Sequence, residues 1–269
     1  MHIDTLLNSV KQQTEAKDHR ITLSVASSWA QGRTLYGGIS ACLVYQTMRE
    51  VVDPEKVLRS LNTNFIGPIE SDNDFNITVE VLRNGKNVTQ VVGRLIQDNN
   101  VIVMSQASFG IARKSKVDVP NNLKHNMDYP QPPNPLPMVP KEMPKFLEHF
   151  DLVKTKGGLP FTGDKGNDIH GWMRFKNHPS NFSDAHLIAL IDIWPPTVLQ
   201  MLSGPAMAST MSWNLEFIHP HQSISGSDWF AYQAKTRQAV DGYAHTEANI
   251  WDKHGTLVAI SRQVVAVFA

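Results

Sequence analysis

Two short segments of this chain recur at nearly the same separation, and that recurrence limits the folds open to it. Asn64-Phe65-Ile66-Gly67-Pro68 resembles Glu216-Phe217-Ile218-His219-Pro220, 152 positions later. Gln97-Asp98-Asn99 resembles Trp251-Asp252-Lys253, 154 positions later. Similar offsets at two separated places mark a duplicated unit. The patterning around them agrees. Strands are expected at 21–29, 57–66, 74–84, 87–98 and 101–112 in one half, and at 171–175, 208–218, 228–239, 242–252 and 256–268 in the other. Asn84-Gly85, Asn99-Asn100, Asp241-Gly242 and His254-Gly255 supply turn chemistry between neighbours. Each half also carries one helix, expected from about Ile39 to Val52 and from Ser183 until Pro195-Pro196 stops it. Each copy thus reads strand, helix, four antiparallel strands. The fold class is α+β, with one apolar helix against one sheet face in each unit.

The copies are expected at 1–112 and 171–269, joined by a linker over 113–170. Eight of the sixteen prolines fall between Pro120 and Pro144, where missing backbone donors and a fixed φ favour chain draped over a surface. A short helix is expected within it around Lys141–Phe150, and an amphipathic one at residues 1–20 with Ile3, Leu6, Leu7 and Val10 on one side. Twenty-five basic residues balance 25 acidic ones with no basic patch, which argues against a nucleic-acid or membrane surface as partner. One cysteine, Cys42, excludes an internal disulfide; among Ile39, Ala41 and Leu43 it is expected in the core. The opening residues lack a signal-peptide pattern, and no stretch approaches the roughly 18 apolar residues of a membrane span. The expectation is a soluble cytoplasmic protein.

Asp192 is the residue a plain core does not explain. Ser183 can cap its helix, Asp184 suits the first turn, and Leu187, Ile188, Ile191 and Trp194 recur at helical spacing. Asp192 belongs to the same stripe, and a carboxylate there is costly to desolvate unless polar groups meet it. Gly37-Gly38 opens the first helix, and helix N-termini present free N–H groups and a positive dipole end. These glycines either hold a substrate oxygen or simply permit a tight turn. Other polar clusters are weaker. His219-Pro220-His221 has no nearby Cys or carboxylate cluster in sequence and is expected on a loop surface, so no metal is assigned. Arg113, Lys114 and Lys116 are expected to be solvated at a strand exit.

Tyr36-Gly37-Gly38, Val81-Leu82-Arg83-Asn84-Gly85-Lys86 and Met104-Ser105-Gln106-Ala107-Ser108-Phe109 each resemble segments of the type II acyl-CoA thioesterases and their thioesterase-like relatives. The resemblance covers both halves but not the linker, and implies a tandem (double) hotdog. It also implies hydrolysis of acyl-CoA to free acid and coenzyme A, without a cofactor, and admits association into a homo-oligomer. Family members place an Asp in the second helix, a Thr at the start of the next strand and a Gln in the last strand. The matching residues are Asp192, Thr210 and Gln263 as catalytic residues, with Gly37 and Gly38 toward the substrate. Two departures stand out: Ile39 follows the glycines where the type II enzymes usually have Gln, and the Asp192 helix ends in Trp-Pro-Pro.

The chemistry is coherent with that set. Thioester hydrolysis needs a nucleophilic water and a polarised carbonyl. A carboxylate serves as base, while a Thr hydroxyl and a Gln amide can hold it or the water. Strand alternation is at odds with one member. Thr210 alternates with Ser212, Asn214 and Glu216, opposite Met211, Trp213, Leu215 and Phe217, which turns it toward solvent. Gln263 shares a face with Leu257, Ala259, Ser261, Val265 and Val267, an odd place for an unpartnered amide. Two alternatives keep the fold and change the function: a non-hydrolytic acyl-CoA or acyl binding module, and an enoyl-CoA hydratase. The hydratase reading lacks its Gly-Asp-x-Asn-Pro-type segment.

Overall fold

The computed structural model describes residues 1–15, 20–139 and 143–269. The first half runs α1 (Ile3–Glu15), β1 (Arg20–Ser24), a small β2–β3 ladder (Ala30–Gln31 and Thr34–Leu35) and α2 (Gly37–Glu50). It continues through β4 (Val57–Phe65), β5 (Asp74–Asn84), β6 (Val88–Gln97) and β7 (Asn100–Gly110). The second half runs β8 (Phe150–Lys156), β9 (Asp168–Phe175), α3 (Asp184–Ile191), β10 (Met207–Phe217), β11 (Phe230–Val240), β12 (Tyr243–Trp251) and β13 (Leu257–Phe268). Eleven strands form one antiparallel sheet in the order β1-β5-β6-β7-β4-β10-β13-β12-β11-β9-β8. Setting aside the edge strand β8, the order reads the same from both ends: β1 answers to β9, β5 to β11, β6 to β12, β7 to β13 and β4 to β10.

The duplication is visible at single residues. Asn62 of β4 and Asn214 of β10 face each other across the seam, and Asn214 Nδ2 donates to Asn62 Oδ1 at 2.8 Å. They stand 152 positions apart, the offset found in the sequence. Each seam strand is also interrupted by a bulge at the same place, between Leu58 and Ser60 in β4 and between Thr210 and Ser212 in β10.

Both central helices are buried all round, which the single apolar stripe did not suggest. Every residue from Gly38 to Met48 in α2, and from Ala185 to Ile191 in α3, is buried. The helices pack on each other, and the sheet curves around them, so each needs apolar side chains on more than one face. Gly93 of β6 lets α2 approach closely, since a Cβ there would stand 2.6 Å from Val44. Cys42 is fully buried as expected, and burial pushes its thiol up. The buried Lys56 gives hydrogen bonds from Nζ to Asn84 Oδ1, the Gly85 carbonyl and Thr89 Oγ1 at 3.0, 2.8 and 2.9 Å. That matches the three donors of an ammonium group.

Some boundaries differ from the sequence reading. The 21–29 strand ends at Ser24 and gives way to a 3-10 turn at Ser27–Trp29. The stretch expected as linker over 113–170 contains β8 and the start of β9: β8 pairs with β9, and Phe150 and Leu152 are buried, with the Phe150 ring packed between Phe175 of the second half and Trp29 and Tyr36 of the first. A 3-10 helix at Lys145–His149 stands where a short helix was expected; Lys141 and Glu142 lie outside the described residues, as do residues 16–19 of the first expected helix. The proline-rich segment does run over a surface. Trp251 Nε1 donates to the Leu123 carbonyl at 2.8 Å, and Asn121 Nδ2 to the Leu257 carbonyl at 2.9 Å. Met127 packs on an outward apolar cluster of Trp172, Trp229, Ala231, Trp251 and Leu257, and the His125 and Tyr129 rings meet Trp172 edge-on.

Candidate active site

Helix α3 ends one residue before Asp192, which becomes its C-cap with φ −85° and ψ 5°. Its start is held by a capping box between Ser183 and His186, and its end is forced by Pro195-Pro196. A helix C-terminus is the negative end of the dipole, so a carboxylate placed there is disfavoured. The N-terminus of α2 compensates: Tyr36 is its N-cap, and the Gly38 N–H favours the charged form of Asp192. A Cβ at Gly37 would stand 2.9 Å from Asp192 Oδ2 and 3.3 Å from the Phe65 ring, so a larger residue there has to displace the carboxylate. Tyr36 fixes the two helix ends together by donating its hydroxyl to the Ala189 carbonyl at 2.7 Å, while Phe146 stacks on its ring at 4.1 Å.

Gln263 is the side-chain partner. Its Nε2 donates to Asp192 Oδ1 at 2.9 Å across 71 positions of sequence. The amide among apolar neighbours on β13 is therefore satisfied by the carboxylate. Asp192 keeps partial surface exposure but is packed deep among protein atoms, and burial pushes its carboxyl up to about 7. The Gln263 amide and the Gly38 N–H pull in the opposite direction and are outweighed. Tyr36 and Tyr232 lie near enough to feel the charge, and it raises their phenol pKa values further beyond what burial does.

Thr210 reverses its expected orientation. Directly opposed residues of an antiparallel pair share a face. Trp213 opposes Gln263, and beyond the bulge Thr210 opposes Val265, two residues along from Gln263. The extra residue changes the alternation, so Thr210 faces inward with Trp213 and Gln263 instead of outward with Asn214 and Glu216. Among the described residues Thr210 makes no side-chain hydrogen bond to Asp192 or Gln263. The structure thus joins Asp192, Gln263, Gly37 and Gly38, and puts Thr210 on the same face as Gln263 without a hydrogen bond to either side chain.

Residues that sequence reasoning missed complete the surroundings. Thr246 opposes Gln263 on β12 and belongs to a buried hydroxyl chain: Thr197 to Thr236 at 2.6 Å and Thr236 to Thr246 at 3.0 Å. Thr197 follows Pro195-Pro196, so the chain ties the segment after Asp192 to the strand beside Gln263. Phe65 could have been found, since it lies in one of the two repeated motifs; three threonines scattered over fifty residues carry no such signal. The internal symmetry yields no second copy of the site. The positions equivalent to Thr210 and Gln263 are Leu58 and Ala107, both fully buried apolar residues. A cleft of about 330 Å³ over the β4–β10 seam opens on the outward face, lined by Asn62, Asn64, Asn214, Arg237 and Arg262; Gln263 also borders it.

His219 and His221 are not on an open loop surface, contrary to the sequence expectation. Both side chains are 12% exposed, and they lie beside Asp184 in the first turn of α3. The chain turns back after Phe217 and lays the His-Pro-His segment against that helix end.

Comparison with known proteins returns one consistent picture. Residues 25–110 match a family model described as the acyl-CoA thioesterase N-terminal domain, and residues 126–267 match the acyl-CoA thioesterase C-terminal domain. An acyl-CoA thioesterase 2 from Haemophilus influenzae is 23% identical over 252 residues, covering 86% of each chain. Among solved structures, a hot dog-fold protein of unknown function from Alicyclobacillus acidocaldarius superposes with a TM-score of 0.80 at 20% identity over 94% of both chains. An acyl-CoA thioesterase II from Mycobacterium marinum gives 0.69 at 18% identity, covering 100% of this chain and 98% of its own. These likenesses bear out the tandem hotdog.

Proposed function

Because the chain belongs to the acyl-CoA thioesterase family, we propose that it hydrolyses acyl-CoA thioesters to free acid and coenzyme A at Asp192. The observation that carries the residue assignment is the Gln263–Asp192 hydrogen bond at the N-terminus of α2. Asp192 acts as general base. Its carboxyl at about 7 is balanced between both forms near neutral pH, the condition in which a base is present and still strong enough to take a proton. One oxygen is held by Gln263, which leaves Oδ2, the oxygen nearest Gly37, for the attacking water. Thr210, on the inner face, holds the water or the thioester on the side away from the helices. Free N–H groups in the first turn of α2 receive the negative charge that develops on the carbonyl oxygen, with Gly37 as the donor not committed to Asp192. The coenzyme A thiolate leaves without strong acid assistance, so the site needs no acid partner and no cofactor.

The same reading includes a first unit at 1–112, a second carrying the base, and a cytoplasmic location, which a lone buried cysteine suits. No helix among the described residues is long and apolar enough to cross a membrane. Self-association is supported by exposed apolar side chains grouped at one end of the sheet: Met207 opposite Phe268 and Val240 opposite Tyr243. Thiol release from short, medium, long and aromatic acyl-CoAs tests the assignment, with wild type beside Asp192→Asn and Thr210→Val. Turnover that falls at least about a hundredfold in Asp192→Asn, and less in Thr210→Val, supports it. Wild type that binds acyl-CoA and releases no thiol places the chain among non-hydrolytic binding modules instead.

A further inference from the structure

Asp184, His219 and His221 come together at the opposite end of α3 from Asp192, about 12 Å away along the helix axis at 1.5 Å per residue. Their side-chain ligand atoms all lie within 4.8 Å of one another. His219 Nε2 is 3.6 Å from Asp184 Oδ2, and His221 Nδ1 is 3.7 Å from Asp184 Oδ1. Both spacings are too long for hydrogen bonds. They approach the edge of a tetrahedron around a metal with bonds of about 2.0–2.1 Å, which is roughly 3.4 Å. The two imidazoles stack at 4.1 Å with 20° between their planes, so both rings present their edges to the same carboxylate.

The surroundings are those of a ligand set more than of a surface ion pair. His219 Nε2 is buried and has no hydrogen-bond partner, as are His221 Nε2 and Asp252 Oδ2. A buried polar atom without a partner is rare and calls for an explanation. The Val258 carbonyl and the Asp252 carboxylate stand near the His221 ring, and metal-ligating histidines are commonly oriented by such groups. A cleft of about 300 Å³, bounded by Phe182, Asp184, Leu187, His221 and Gln222, opens beside the cluster. Three protein ligands with a fourth position facing a cleft is the arrangement of zinc sites that admit an exogenous ligand.

We propose that Asp184, His219 and His221 form a binding site for a divalent transition metal of the zinc type, with one coordination position open to the adjacent cleft. The site is separate from the thioesterase chemistry, at the far end of α3 from Asp192. It takes two neutral imidazoles and one carboxylate, a set that suits zinc and cobalt better than calcium or magnesium.

The test uses the full-length protein stripped with a chelator, dialysed and titrated with Co²⁺ and separately with Zn²⁺. Wild type is expected to bind a single equivalent, to show the visible d–d absorption of low-coordinate cobalt, and to gain thermal stability with zinc. The double variant His219→Ala/His221→Ala is expected to lose the absorption and the zinc-dependent stabilisation. Asp184→Asn, which keeps a polar residue in the first turn of α3, is expected to bind more than about tenfold more weakly. Wild type that takes up no more cobalt than the double variant, or a zinc stabilisation equal in both, overturns the proposal. If the double variant does not fold, an unchanged cobalt spectrum and affinity in Asp184→Asn overturns it equally.

Discussion

Replacing Asp192 by Asn isolates the cost of keeping a carboxyl group where α3 ends. In the unfolded chain this group ionises near its ordinary 3.8, whereas burial in the folded protein keeps it protonated up to about 7. Between those values the folded state holds a proton that the unfolded state has released, so stability falls as pH rises and finishes falling above about 7. At about 1.4 kcal/mol for each tenfold change in proton affinity, the full loss is about 4 kcal/mol. Asn has no proton to release and retains a carbonyl oxygen for the Gln263 amide at the position of Oδ1. Asp192→Asn is therefore expected to be more stable than wild type, with the difference growing by about 3 kcal/mol between pH 5 and pH 8. Urea unfolding of both proteins at several pH values measures this directly, since every other titrating group is shared. A difference that stays flat across that range refutes the raised carboxyl. A difference that grows in the opposite direction refutes burial as its cause.

Three further outcomes are expected. Gln263→Leu removes a hydrogen bond that favours the charged carboxylate, so the rising limb of kcat/KM against pH should move to higher pH; a limb that stays in place separates Gln263 from the base. Gly37→Ala drives a methyl group to 2.9 Å from Asp192 Oδ2 and should cost about 1–3 kcal/mol of stability together with most of the turnover. Wild-type melting and hydrolysis in that variant would show that the two helix ends are not tightly apposed. Lys56→Met takes a buried charged donor from Asn84, the Gly85 carbonyl and the buried Thr89 hydroxyl, and should destabilise the first half by about 1–3 kcal/mol, read by denaturant unfolding with thioester hydrolysis as the control.

The strands, both central helices and the twofold repeat were legible in the chain because each rests on local pattern. Alternation marks a strand, a proline pair ends a helix, and a recurrent motif exposes a duplication whatever the fold does with it. Asp192 was legible for the same reason: a carboxylate in an apolar stripe is out of place. Gln263 stood out as an amide among apolar neighbours, though nothing in its own strand named the partner 71 positions away. Thr210 shows where alternation fails. One bulge residue in β10 reverses the faces, and a bulge leaves little trace in composition. The burial of α2 and α3 on every side, the closeness of Gly37 to the Asp192 carboxylate, and the meeting of Asp184 with His219 and His221 belong to the tertiary structure alone. Each depends on the distance between elements remote in sequence, and that distance is set by how the two copies close around their shared core.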